Sequence, residues 1–147
     1  MKKILLCFTM LLAAGMAFGQ QGLNCHPVFK GKVVPIERMV ITEVRGGGMA
    51  TYKLDYYKGL SFQVDPETAA KVADLVAADA KSAVACETEI NGDFLTYALI
   101  QPKSNGKINR FLCYQARPTG ESWVITLIYL EGIATREDLH SMFEKQK

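Results

Sequence analysis

The most regular alternation of apolar and polar positions lies in the last third of the chain. There Asn91-Gly92, Asn105-Gly106 and Thr119-Gly120 separate four runs rich in β-branched and aromatic residues, about 86–90, 93–101, 108–116 and 122–131. Asn-Gly tolerates the positive φ that a type I′ turn demands at both central residues, so the runs read as an antiparallel meander. With two-residue loops the pairing follows by counting: Tyr97 falls opposite Tyr114, and Tyr114 opposite Ile125. One face then collects Leu95, Tyr97, Leu99, Leu112, Tyr114, Trp123, Ile125, Leu127 and Tyr129, a core face. The other carries Phe94, Thr96, Ala98, Ile100, Phe111, Cys113, Gln115, Val124, Thr126 and Ile128. That face is too apolar to sit bare in water and too mixed for a packed interior, so it calls for partial cover.

Upstream, residues 39–44 read as a strand that stops at Gly46-Gly47-Gly48. Tyr52, Leu54 and Tyr56 alternate with polar neighbours, and the alternation resumes after Gly59 as Leu60, Phe62 and Val64, which predicts extended structure with a bend or bulge at the glycine. Asp65 as N-cap and Pro66 at the first helical position open a helix that runs to about residue 84. Its apolar side is Ala69, Val72, Ala73, Val76, Ala80 and Ala83. A second helix starts at Thr135, with Asp138 in the capping-box position and Leu139, Met142 and Phe143 as its stripe. The expected fold is α+β: a four-stranded antiparallel meander, open to extension by N-terminal strands, with both helices packed on one face. Residues 39–147 form one domain, and 20–38, with two prolines and two glycines, form an extended arm.

The first 19 residues follow a different rule. Lys2 and Lys3 precede an apolar run over 4–14, and Ala17-Phe18-Gly19 offers small residues before Gln20, the pattern of a cleavable secretory signal. The run is shorter than the about 20 residues that span a bilayer. Cleavage after Gly19 would place the rest in the periplasm or outside the cell. A lipid anchor does not fit, because Cys7 lies inside the apolar run and Cys25 follows Asn24, where a small residue is needed. No later run reaches membrane-spanning length, the longest being 123–130.

Removing Lys2 and Lys3 changes the charge. The full chain has 17 basic and 15 acidic residues, and the remainder has 15 of each. A neutral chain without a basic block lacks the footprint for nucleic acid. The cysteine count also becomes odd, with Cys25, Cys86 and Cys113 left. The counted register puts Cys86 and Cys113 on opposite faces, beyond the roughly 7 Å that a disulfide allows, which leaves Cys25 as the better partner for Cys86. Cys113 reads as a small buried hydrophobe. Neither a zinc spacing nor any other metal or cofactor motif is present.

Catalytic chemistry is equally sparse. His26 sits in the arm and His140 on a solvated helix position, so a nucleophile would lack a placed base. The three glycines at 46–48 lack a P-loop context, and Gly120-Glu121-Ser122 lacks the nucleophile-elbow pattern. Glu87 with Glu89 on an edge strand, and Glu137 with Asp138 in a first helical turn, each have a structural explanation. The expectation is therefore a protein that is not an enzyme. Its candidate ligand- or partner-binding residues are the aromatic segment Tyr52, Tyr56 and Tyr57 together with Phe94, Phe111 and Ile128 of the mixed face.

The closing pattern Asn109-Arg110-Phe111-Leu112-Cys113-Tyr114, then 125–132, then Glu137-Asp138-Leu139 and Met142-Phe143, resembles short exported Bacteroidetes proteins of a domain-of-unknown-function family. The resemblance implies export and a single domain, and it supplies no catalytic residues. The leading expectation is a non-enzymatic envelope module that binds a protein partner or forms a homo-oligomer through its mixed face. The alternatives are a small-ligand carrier with a pocket lined by Tyr97, Tyr114 and Trp123, and a weak hydrolase using Glu87 or Glu89.

Overall fold

A computed structural model describes residues 22–104 and 106–144. The expected signal peptide lies outside the described residues. The elements are α1 (His26–Phe29), β1 (Val40–Arg45), β2 (Leu54–Val64), α2 (Pro66–Lys81), β3 (Ala85–Asn91), β4 (Phe94–Gln101), β5 (Asn109–Thr119), β6 (Ser122–Gly132) and α3 (Arg136–Glu144). Short 3-10 stretches occupy Ile36–Arg38 and Gly46–Tyr52. No described helix is long and apolar enough to cross a membrane.

The strands form one antiparallel sheet of six, in the order β1-β2-β6-β5-β4-β3. This corrects the four-stranded expectation. The meander β3 to β6 is present, but β2 pairs along β6 and β1 along β2. The alternating strand β6 buries Ile125, Leu127 and Tyr129 on one side of the sheet, and β2 extends that surface with Leu60, Phe62 and Val64. Gly59 lies in regular pairing, and the irregularity in β2 falls between Leu54 and Tyr56 instead of at the glycine.

Turn chemistry decides the register. In the β3–β4 and β5–β6 hairpins the pairs closing the loops are Asn91 with Phe94 and Thr119 with Ser122. The central residues are therefore Gly92-Asp93 and Gly120-Glu121, with positive φ of 65° and 61° at the glycines alone. Glycine thus takes the first central position, as in a type II′ turn, rather than the second position of type I′. Between β4 and β5 the connection is longer, residues 102–108, and pairing is shifted by one: Tyr97 meets Gln115 and Ala98 meets Tyr114. A one-residue slip exchanges the faces of a strand. Ala98 and Ile100 accordingly join Leu112, Tyr114, Ile125 and Tyr129, while Tyr97 and Leu99 turn to the other side.

The two long helices lie on opposite faces, the second correction to the expected fold. On the first face α2 packs Ala69, Val72, Ala73 and Val76 against the sheet. The same core takes Leu23, Cys25, Val28, Phe29 and Val34 from the segment expected to be an arm. Asp79 holds that segment in place. It is 3% exposed, yet its carboxylate accepts hydrogen bonds from the Asn24 N–H (2.6 Å), the Cys25 N–H (3.0 Å) and the Asn24 side-chain amide (3.1 Å). Donors on three sides satisfy a charge that would otherwise be costly to bury.

On the second face α3 packs Leu139 over Leu99, Phe111, Leu130 and Leu54. The chain reaches that face through a close crossing at the end of β6. A Cβ on Gly132 would collide with the Lys53 carbonyl, and the same carbonyl accepts a hydrogen bond from the Ala134 N–H at 3.0 Å. Lys53 is the one described non-glycine residue with positive φ, at 61°. The α3 cap matches the sequence pattern: the Thr135 N–H donates to Asp138 Oδ2 (2.8 Å), and the Asp138 N–H donates to Thr135 Oγ1 (3.2 Å).

Candidate functional site

Strand register lays side chains out in rows across the second face. One row runs Gly59, Ile128, Cys113, Leu99, Glu87 from β2 to the β3 edge. The next runs Ser61, Thr126, Gln115, Tyr97, Glu89. The first row is largely apolar and borders the cover of α3, whereas the second is polar along its whole length. A cleft of about 600 Å³ opens over the β3–β6 part of both, lined by Glu87, Thr88, Glu89, Tyr97, Cys113, Tyr114, Gln115, Thr126, Ile128 and His140.

One wall of the cleft is tied to the helix. Glu87 Oε1 lies 3.6 Å from Arg136 Nη2, and its Oε2 lies 2.9 Å from His140 Nε2. Both partners come from α3, so the helix is linked to edge strand β3. On its other flank Lys53 Nζ sits 3.5 Å from Asp138 Oδ1. Glu89, two residues along β3, is exposed and makes no ion pair among the described residues. The side chains of Ser61, Thr126, Gln115 and Tyr97 likewise make no hydrogen bond among them.

The floor is chemically quiet. Burial pushes the Cys113 thiol up to about 12, so at neutral pH it is not the thiolate that nucleophilic attack requires. Burial also raises the Tyr97 phenol, with Cys113, Glu87 and Glu89 adding to the effect, and raises that of Tyr57, with Cys113 again contributing. Both rings stay neutral. Tyr57 folds over Gly59, where a Cβ would meet its hydroxyl at 2.9 Å, so the glycine leaves room for the ring on this face. Among the described residues no three His, Cys, Asp or Glu side chains are grouped to hold a metal ion.

The six residues expected to form a binding surface do not come together. Tyr52 is exposed on the 3-10 stretch. Tyr56 is buried on the first face, donating to Glu43 under the Arg45 guanidinium. Phe94 stacks on Trp123 with centroids 4.2 Å apart, packed against the first-face core. Phe111 is fully buried in the core that α3 seals. Tyr57 and Ile128 remain on the second face, and Ile128 lines the cleft.

The pocket drawn around Tyr97, Tyr114 and Trp123 is divided by the sheet. Tyr97 lies on the second face, while Tyr114 is buried on the first and donates to the Leu95 carbonyl at 2.9 Å. The pair Glu87 and Glu89 does line one cleft, with Glu87 occupied by Arg136 and His140. Sequence reasoning missed the contribution of Tyr97, Thr126, Gln115 and His140 as a set. Reading each hairpin with glycine first would have restored the β5–β6 pairing, but the shift between β4 and β5 has no such local signal. The three described thiols are unbonded, with Cys25 buried, Cys113 half-buried and Cys86 exposed.

These features define an α+β domain built on one open sheet, sealed on one face and half covered on the other. The sequence matches the family of unknown function (DUF6108) over residues 12–143, and the chain belongs to that family. No curated protein and no solved structure matches it significantly.

Proposed function

We propose that this is an exported, non-enzymatic binding module of the periplasm or extracellular space, separated from residues 1–19 by cleavage, that recognises its partner or ligand in the second-face cleft. The basic start, short apolar run and small-residue exit support export. The observation that carries the binding reading is the row of Thr126, Gln115 and Tyr97 beside the apolar Cys113 and Ile128 in the cleft, with side chains that make no hydrogen bond among the described residues. Apolar lining with a few convergent polar groups is the usual composition of a ligand site. The groups able to perform chemistry point away from catalysis, since Glu87 is engaged by α3 and the Cys113 thiol is protonated.

Two measurements test this. The N-terminus of protein recovered from outside the cytoplasm should begin at Gln20, and an unprocessed cytoplasmic chain would refute export. Native mass spectrometry of the exported protein, compared with Gln115→Arg at an exposed cleft position, should show retained species that the variant loses at an unchanged unfolding temperature. Identical spectra for the two proteins would remove the cleft as the recognition site.

A further inference from the structure

Resting on that reading of the cleft, we propose that its ligand is a small organic cation, an ammonium group attached to an apolar body. The ammonium sits between Glu89 and Tyr97, and the body lies along Cys113 and Ile128. Glu89 and Tyr97 are direct cross-strand partners, so their side chains leave the same face of the sheet side by side. The two glutamates of the cleft differ in their company. Glu87 lies 3.6 Å from the Arg136 guanidinium and meets the His140 ring, whereas Glu89 has no cation within ion-pair distance among the described residues.

A carboxylate beside an aromatic face is the arrangement that attracts an ammonium, through charge on one side and the ring quadrupole on the other. The phenol keeps that face neutral at physiological pH, since its ordinary pKa is about 10 and burial raises it further. Further in, Gln115 and Thr126 follow Tyr97 on successive strands and offer hydrogen bonds to a polar group on the ligand. With strands about 4.8 Å apart, Glu89 to Thr126 covers roughly 14 Å, which sets a small molecule as the occupant. A carboxylate ligand would meet Glu87 and Glu89 with like charge. A wholly apolar one would strip water from Glu89, Gln115 and Thr126 without replacing it.

The test uses the exported chain with three probes of near-equal shape: phenethylamine, phenethyl alcohol and hydrocinnamate. Binding is followed by amide resonances of β3, β4 and β5. Phenethylamine is expected to shift the amides around Glu89, Tyr97 and Gln115 and to bind ~10-fold more tightly than the alcohol, the size of one exposed charge contact plus a cation–π contact. Hydrocinnamate should be weaker still. Glu89→Gln, at an exposed position, should bring the amine down to the level of the alcohol. Equal binding of alcohol or carboxylate in the cleft, or an unchanged amine affinity in Glu89→Gln, overturns the cation inference while the cleft stands as a binding site. No shift at the cleft from any of the three overturns the cation inference, and a mixed set of neutral and anionic fragments that also leaves it silent overturns the binding reading. An acetylated lysine peptide that binds where phenethylamine does not would overturn the small-molecule occupant in favour of a protein partner.

Discussion

On its first face the sheet meets α2 and residues 22–34 along the core, and Leu112, Tyr114, Ile125, Leu127 and Tyr129 are buried there. On its second face α3 covers Leu99, Phe111 and Leu130 and leaves Cys113, Ile128 and the row of Tyr97, Gln115 and Thr126 to the cleft. The same strands supply both surfaces, so the difference comes from what is laid over them. A 16-residue helix assisted by an anchored N-terminal segment closes one side, and a 9-residue helix held by Leu139, a cap and exposed ion pairs half closes the other. The larger buried core lies under the fuller cover, and the cleft opens where the other cover stops short.

Truncating each cover separately tests that division. Leu127→Ala removes a fully buried side chain from the sealed face and is expected to cost about 2–5 kcal/mol of global stability, read from urea unfolding. Leu139→Ala on α3 should cost about 2 kcal/mol, because a helix at one border of the sheet can settle towards the gap. Its effect should appear as faster amide exchange confined to α3 and its contacts. If Leu139→Ala unfolds the whole domain as readily as Leu127→Ala, the two faces do not differ in the way described.

Asp79→Ala should cost about 1–3 kcal/mol, since it leaves the buried Cys25 N–H and the part-buried Asn24 N–H without an acceptor. Limited proteolysis should then cut within residues 22–38 before it cuts the sheet. The smallest effect concerns acid. The Thr135 backbone N–H, then its hydroxyl and Lys53, hold the Asp138 carboxyl below the usual carboxylate range. A lowered folded-state value means that its stabilisation is present above about pH 4, the ordinary carboxylate pKa, and is lost as pH falls through the lowered value. Amide protection in the first turn of α3 should therefore decline as pH falls through that value, and protection unchanged in acid would show that the cap adds nothing to the hold of α3.

Much of this architecture is legible locally. The four-strand meander, the start of α2 at Asp65-Pro66, the Thr135 cap and the apolar stripe of α2 follow from short-range pattern. What could not be read depends on contacts between distant positions. An amphipathic stripe says that a helix needs a sheet and not which face it takes; for α3 that choice is made where Gly132 passes the Lys53 carbonyl. The facing of Tyr97 depends on how β4 is shifted against β5, and its pairing with Glu89 on the irregularity between Glu89 and Ile90, neither of which short-range pattern announces. The prolines and glycines of residues 22–38 hide that Leu23, Cys25, Val28, Phe29 and Val34 are buried, because the acceptor that anchors them, Asp79, lies 55 positions from Asn24.

That acceptor also sets how the N-terminal segment can vary. Two of its three hydrogen bonds are to main-chain N–H groups, which every residue except proline possesses. Asp79 therefore measures the distance along the chain from α1 more than it reads side-chain identity. Substitution at Asn24 is tolerable in a way that adding or deleting a residue between Leu23 and α1 is not. For anyone fusing a tag or tether to this protein, the join belongs ahead of Leu23, where the grip of α2 has not yet begun.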